Sequence, residues 1–290
     1  MTRIELLGVP IDICKPEDLH GEIMRILEKP GHKQIVFLTV WDLLKARNTK
    51  KDFGDCLRTA DLILPVSKSL LKGARFLKLP VPVRYNPFPT VIQILNTLDQ
   101  NYRSLYLLGG RKKTVQTAER QVHDTFHHLR IVGRYVGYFP KTSESDVVQA
   151  IFKASPSLVI VGEGIKEKNL WSYRRREKFS SSIFLYYRDS IGIFAGRIRR
   201  VSEKVFDAGK EIWYEIFHRP SKIFLIFPYI RYKILLILYR LFRKDGKPKP
   251  KKEKKLKKGE AGIYHVESLD AKKQENKKQE NVENSSQQGI

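Results

Sequence analysis

Ser104-Leu105-Tyr106-Leu107-Leu108-Gly109-Gly110 and, further on, Leu158-Val159-Ile160-Val161-Gly162-Glu163-Gly164 repeat one pattern. Each is a short apolar run that ends in glycines and leads towards a helix. A parallel α/β sheet presents its binding edge in this way: strand, tight glycine turn, helix N-terminus. Between the two runs lie a polar helical stretch, a strand, Val136-Gly137-Tyr138-Phe139 and a second helix. Glycine lacks a Cβ and tolerates positive φ, so such turns can bring amide groups up to a phosphate. They serve equally as plain packing corners. Neither turn is a full G-x-G-x-x-G or P-loop sequence.

Working outward, the same alternation continues on both sides. Ile4–Val9 reads as a strand, and Pro16-Glu17-Asp18 as a helix start with acidic residues at its positive end. Gln34–Leu38 reads as a strand, followed by helices over Trp41–Arg47 and Phe53–Ala60. Asp61–Leu64 is a buried strand stopped by Pro65, and Ser69–Leu77 is helical. Pro87 and Pro89 open a helix over Thr90–Leu98, and Ser182–Tyr187 is a further strand. Strands alternating with helices predict an α/β fold: a Rossmann-like, doubly wound, mostly parallel sheet. Right-handed crossovers place the loops that bind ligands on one edge.

Residues 1–196 form this α/β domain in the sequence reading, 197–243 a basic, aromatic helical appendage, and 244–290 a polybasic disordered tail. Arg197, Arg199 and Arg200 open the appendage, and Trp213, Tyr214, Ile216 and Phe217 follow before Pro220. Lys222–Phe242 is strongly apolar but carries Pro228, Arg231 and Lys233 near its middle. A membrane-spanning helix needs roughly 20 apolar residues with few charges, so this segment reads as lying along an interface. A helix pair docked on the core is the other reading. The tail holds the lysine run Lys244–Lys258 and too few apolar residues to offset chain entropy.

The formal net charge of +24 calls for polyanionic partners. A polybasic run beside an apolar aromatic segment suits an anionic membrane surface, at ~1 kcal/mol per cation. Nucleic acid is disfavoured, because the lysines lack interleaved aromatics or a base-reading motif. Two cysteines, Cys14 and Cys56, make neither a disulfide scaffold nor a zinc site, and no Cys/His cluster has metal spacing. No cofactor or metal is expected. The N-terminus lacks a signal-peptide pattern, which predicts a cytoplasmic protein held peripherally at the inner membrane face.

Several pieces of this sequence resemble, in order and spacing, the WecG/TagA/CpsF glycosyltransferases. They are Ala60-Asp61-Leu62-Ile63-Leu64-Pro65, Tyr106-Leu107-Leu108-Gly109-Gly110, Val136-Gly137-Tyr138-Phe139, Val161-Gly162-Glu163-Gly164 with Trp171, Phe194-Ala195-Gly196-Arg197, and Glu211-Ile212-Trp213-Tyr214 with Pro220. The resemblance covers about Gln34 to Pro220. It implies transfer of a hexose or N-acetylhexosamine from a UDP-sugar to a lipid-linked acceptor in cell-surface polysaccharide synthesis, with a C-terminal helical appendage that aids membrane docking.

On that reading Gly109, Gly110, Arg111, Tyr138, Gly162, Glu163, Gly164 and Lys168 surround the nucleotide. Arg84, Arg197, Arg199 and Arg200 meet the acceptor's phosphates, since a guanidinium matches phosphate bidentately. The departures fall on polar positions. The aspartate that the family places after its Ala-Asp-Leu strand is Val66 here, and valine cannot take a proton. Thr39 and Trp41 stand where the family has asparagines, Pro87-Phe88-Pro89 replaces a Gly-Ser/Thr-Asp step near Arg84, and Lys168 replaces a glutamine. Changes at four separate loops predict altered or impaired catalysis. The remaining candidates for catalytic duty are Thr39, Asp189 and Glu211. An inactive relative that binds sugar nucleotide or scaffolds at the membrane is the alternative.

Overall fold

The computed structural model describes residues 1–47, 52–200, 202–209 and 226–242. Glu211, the aromatic stretch around Trp213, the lysine run and the tail lie outside the described residues.

Six strands form the sheet: β3 (Lys33–Leu38), β4 (Leu62–Pro65), β5 (Ser104–Leu108), β6 (Arg130–Tyr135), β7 (Leu158–Val161) and β8 (Ile183–Tyr186). Their spatial order is β4-β3-β8-β7-β5-β6, and every neighbouring pair is parallel. The expected α/β fold is therefore present. Buried on both faces, the central strands are near-continuous runs of Ile, Leu and Val, as parallel sheets require.

Helices cover both faces. On one, Ile35, Leu105, Leu107, Leu158 and Ile160 pack against α1 (Leu19–Glu28), α5 (Pro87–Gln100), α6 (Lys112–Thr125) and α9 (Ser190–Phe194). On the other, Val36, Leu38 and Ile63 meet α2 (Val40–Ala46), α3 (Phe53–Thr59) and α4 (Lys68–Phe76). Tyr106, Leu108, Val159 and Phe184 pack beside α7 (Glu144–Ala154), with Trp171 of α8 (Asn169–Arg174). Two short-range devices fix the helix ends. The buried Lys33 donates its Nζ to the carbonyls of Leu27 (3.2 Å) and Lys29 (2.7 Å), closing the C-terminus of α1. Thr39 and Asp42 form a reciprocal capping box at the start of α2.

The N-terminal strand expected over Ile4–Val9 is instead a hairpin, β1 (Thr2–Leu6) and β2 (Val9–Ile13). Leu7 and Gly8, with φ of +53° and +78°, make a two-residue turn in which both residues are left-handed. Leu-Gly is a poor signal for that turn, which is why the pattern ran on through it. The hairpin is clasped to the sheet by the fully buried Asp12. Its carboxylate takes Nε and Nη2 of Arg3 at 2.7 and 2.9 Å and the amide of Ile63, in β4, at 2.7 Å.

After the domain come α10 (Glu203–Ala208) and α11 (Ile226–Phe242). One side of α11 docks on the core. Tyr232 and Leu236 are buried against the α/β body, and the Tyr232 hydroxyl donates to the carbonyl of Ser69 in α4 at 3.0 Å. The Tyr232 ring lies so close to α4 that a Cβ at Gly73 would fall 2.1 Å from its hydroxyl. Phe227, Ile230, Ile234, Ile237, Leu238, Leu241 and Phe242 face outward, exposed. Among the described residues no helix is long and apolar enough to cross a membrane.

Candidate functional site

The chain leaves β5 outward to β6 and leaves β7 in the opposite direction to β8. Between the C-terminal ends of β5 and β7 the connections diverge, and such a switch point is where open α/β sheets bind ligands. Both glycine corners stand there, on one edge and in direct contact. The amide of Gly110 donates to the carbonyl of Glu163 at 2.7 Å, and Gly162 donates to Leu108 at 2.7 Å. The β6–α7 corner joins them, because the Gly137 amide donates to the Gly110 carbonyl at 2.9 Å. A Cβ at Gly137 would sit 2.0 Å from the Glu163 carbonyl oxygen, and one at Gly109 2.8 Å from Gly162 Cα. Backbone packs on backbone, and only glycine fits.

This packing uses the glycine amides. Gly109, Gly110, Gly137 and Gly162 all donate to main-chain carbonyls. The packing role, left open by the sequence, accounts for these residues, and positive charge at the crevice comes from side chains instead. Arg111 precedes α6, and its guanidinium lies near enough to the Tyr138 hydroxyl to act on it electrostatically, as does that of Arg188. Tyr138 is 55% exposed. Partial burial, then a hydrogen bond with Glu163, raise the phenol above its ordinary range. Glu163 and Tyr138 are thus brought together at the switch point, with Arg111 and Arg188 beside them. Gly164 (φ +97°) packs against Gly137. Lys168 is exposed before α8, at a positive φ of +54° that a lysine rarely adopts.

Next along the edge, β8 ends in Tyr186. Burial raises its phenol to about 12, and Asp189, Asp42 and Glu163 add to the shift while Arg188 opposes it. Three carboxylates from the segments that follow β3, β7 and β8 therefore act on this hydroxyl electrostatically. Asp189 precedes α9, half-exposed, with Arg188 Nε 4.0 Å away. Ser190 and Ile191, which follow it, lie against Gly162. Thr39 is engaged in its cap: the hydroxyl donates to Asp42 Oδ2 at 2.6 Å and accepts the Asp42 amide at 3.2 Å. Among the described residues no set of three or more His, Cys, Asp or Glu side chains is arranged to hold a metal.

The far end of the edge is β4. Val66 is half-buried against the core, its amide donating to Leu38 and its carbonyl accepting Arg84 Nε at 2.7 Å. Arg84 reaches from there to α10, where its Nη1 donates to the Phe206 carbonyl and its guanidinium lies 3.6 Å over the Phe206 ring. Arg197, Arg199 and Arg200 are exposed beyond α9. Asp42, Lys68, Tyr186 and Arg188 are edge residues that sequence reading passed over. Thr39-x-x-Asp42, a capping-box spacing, could have exposed the first.

The sequence matches the Glycosyl transferase WecG/TagA/CpsF family over residues 4–250. It is also similar to the N-acetylglucosaminyldiphosphoundecaprenol N-acetyl-beta-D-mannosaminyltransferase of Staphylococcus aureus strain NCTC 8325, at 20% identity over 69% of this chain and 78% of the relative. The protein of that name from strain MRSA252 is 19% identical over the same shares. With the parallel sheet, the glycine corners at its switch point and a match spanning most of the sequence, this chain belongs to the WecG/TagA/CpsF family of glycosyl transferases.

Proposed function

We propose that the protein transfers an N-acetylhexosamine or hexose from a UDP-sugar to a lipid-linked, diphosphate-bearing acceptor, with a proton acceptor other than residue 66. The S. aureus relatives carry a name that specifies such an acceptor. The observation that carries the reading is the meeting of three corners at the β5/β7 switch point. There Arg111 and Arg188 face the donor's diphosphate, and Tyr138 and Glu163 take the nucleoside. From β7 to β4 is three strand spacings, ~14 Å at ~4.8 Å each, which separates the nucleotide end of the edge from the acceptor end near Val66 and Arg84. Asp189, which follows β8 and so lies between them, is the carboxylate we assign to take the acceptor's proton. The chemistry needs no cofactor.

The outward face of α11 supports peripheral membrane binding. Seven exposed apolar residues stand beside Arg231, Lys233 and Arg240, the composition of a helix seated in an anionic lipid interface.

The test is release of UDP from UDP-N-acetylmannosamine and UDP-N-acetylglucosamine in the presence of a prenyl-diphosphate-linked N-acetylglucosamine. Acceptor-dependent release supports transfer. The valine at position 66 favours one rival, an inactive relative that keeps nucleotide binding, and UDP binding without release would establish it. Absence of both would remove the reading altogether.

A further inference from the structure

Lys68 lies two residues beyond Val66 at the acceptor end of the edge, and its ammonium is engaged by main chain. It donates to the carbonyls of Asp207 and Ala208 at 3.0 and 3.4 Å. Arg84 holds the carbonyl just before them, that of Phe206, and covers the Phe206 ring. Two cations from the β4 end therefore grip three successive carbonyls at the C-terminus of α10. Gly209 lets Lys68 in: a Cβ there would stand 2.4 Å from Lys68 Cδ.

A helix C-terminus carries about half a negative charge, spread over such carbonyls. That is a weak substitute for a phosphate, whose non-bridging oxygens share a full negative charge and bind guanidinium and ammonium in shorter, stronger bonds. At six residues α10 is also too short to hold its shape alone, so its place depends on what it touches. We propose that Lys68 and Arg84 form a diphosphate-binding pair whose place is held by the carbonyls of α10, and that the acceptor's diphosphate displaces the helix. This rests on the transfer reading above and adds to it Lys68 as a second cation and a helix that competes with the ligand. Nucleotides also carry a diphosphate, so the source has to be separated by experiment.

The experiment uses the full chain with inorganic pyrophosphate, geranyl diphosphate or UDP, and follows amide hydrogen exchange. Pyrophosphate and geranyl diphosphate are expected to speed exchange over residues 203–209 by about tenfold, while UDP instead protects the glycine corners. Phe206→Leu, which keeps bulk but removes the ring from Arg84, is expected to bind pyrophosphate ~3-fold tighter, as a loosened competitor demands. Lys68→Gln is expected to lose that binding. Pyrophosphate bound with residues 203–209 unchanged overturns the proposal, as does no binding by either the natural chain or Phe206→Leu. Faster exchange with UDP alone assigns the pair to the nucleotide and overturns the acceptor assignment. Protection of the corners by UDP reports separately on the transfer reading, so either idea can fail while the other stands.

Discussion

Gly110 gives its amide to the carbonyl of Glu163 across 2.7 Å, and that bond joins the two strand ends between which the connections diverge. The Glu163 side chain meets the Tyr138 hydroxyl beside it. The corner is a rigid wall with charged side chains on its rim.

Such a wall should tolerate no added carbon. Gly137→Ala places its methyl 2.0 Å from the Glu163 carbonyl, with backbone on both sides and no side chain able to yield. Overpacking of this kind costs ~1–3 kcal/mol. The melting temperature should fall and UDP affinity with it. Gly21→Ala, inside α1 with open space around it, should raise stability by ~0.5–1 kcal/mol and leave UDP binding unchanged. Thermal melts and UDP titrations of the two variants check both statements.

Asp189 carries the proposed proton transfer, and general-base help is worth ~10²–10⁴-fold. Asp189→Asn should lower the rate of acceptor-dependent UDP release by about 10²-fold or more, with little change in UDP affinity. Val66→Asp puts a second carboxylate at the acceptor end and should relieve part of that loss in the double variant. Equal rates for the natural chain and Asp189→Asn would dismiss Asp189 as the base.

The opposite end of the sheet sets an acid limit on stability. His32 precedes β3, stacked on Phe184 with ring centroids 5.2 Å apart and its Nε2 buried without a partner. Burial lowers it to about 4 from an ordinary 6.5, Asp61 opposing the shift. The unfolded chain therefore binds a proton more readily than the folded one between those values. The neutral ring's contribution is full above pH 6.5 and is lost as pH falls towards 4, about 2 kcal/mol of it between pH 7 and pH 5. Urea unfolding of the natural chain should show this drop. In His32→Phe the loss over that interval should shrink by the same amount.

Most of the framework was legible because the central strands are buried on both faces and end in glycines, a pattern that survives without neighbours. The hairpin was not: its turn is Leu7-Gly8, and nothing local marks a leucine at φ +53°. Glycine at the corners was legible as a type but ambiguous in purpose. Whether an amide faces a phosphate or a neighbouring carbonyl depends on where the third corner, at Gly137, comes to rest. Arg188 and Asp42 escaped notice because they draw their meaning from Tyr186 of β8, which comes within electrostatic reach of Asp42 in α2 only once the sheet is ordered. That residue 66 is a valine needs no fold to be seen, whereas its half-buried place beside Arg84 does.

The outward face of α11 yields the last prediction. Tyr232 and Leu236 anchor the helix, so Ile234 and Leu241, on the exposed side at 51% and 70%, can change without disturbing the core. Each exposed apolar side chain that enters the lipid interface contributes ~1.5–3 kcal/mol if fully buried there. Ile234→Asp with Leu241→Asp should therefore abolish sedimentation with anionic vesicles while the melting temperature stays within a degree or two. Transfer to a detergent-solubilised acceptor should persist in the variant, because the β4 to β6 edge is untouched, and transfer to the same acceptor in vesicles should be lost. Vesicle binding that survives both aspartates would leave the basic residues as the sole anchor, and it would then disappear in high salt.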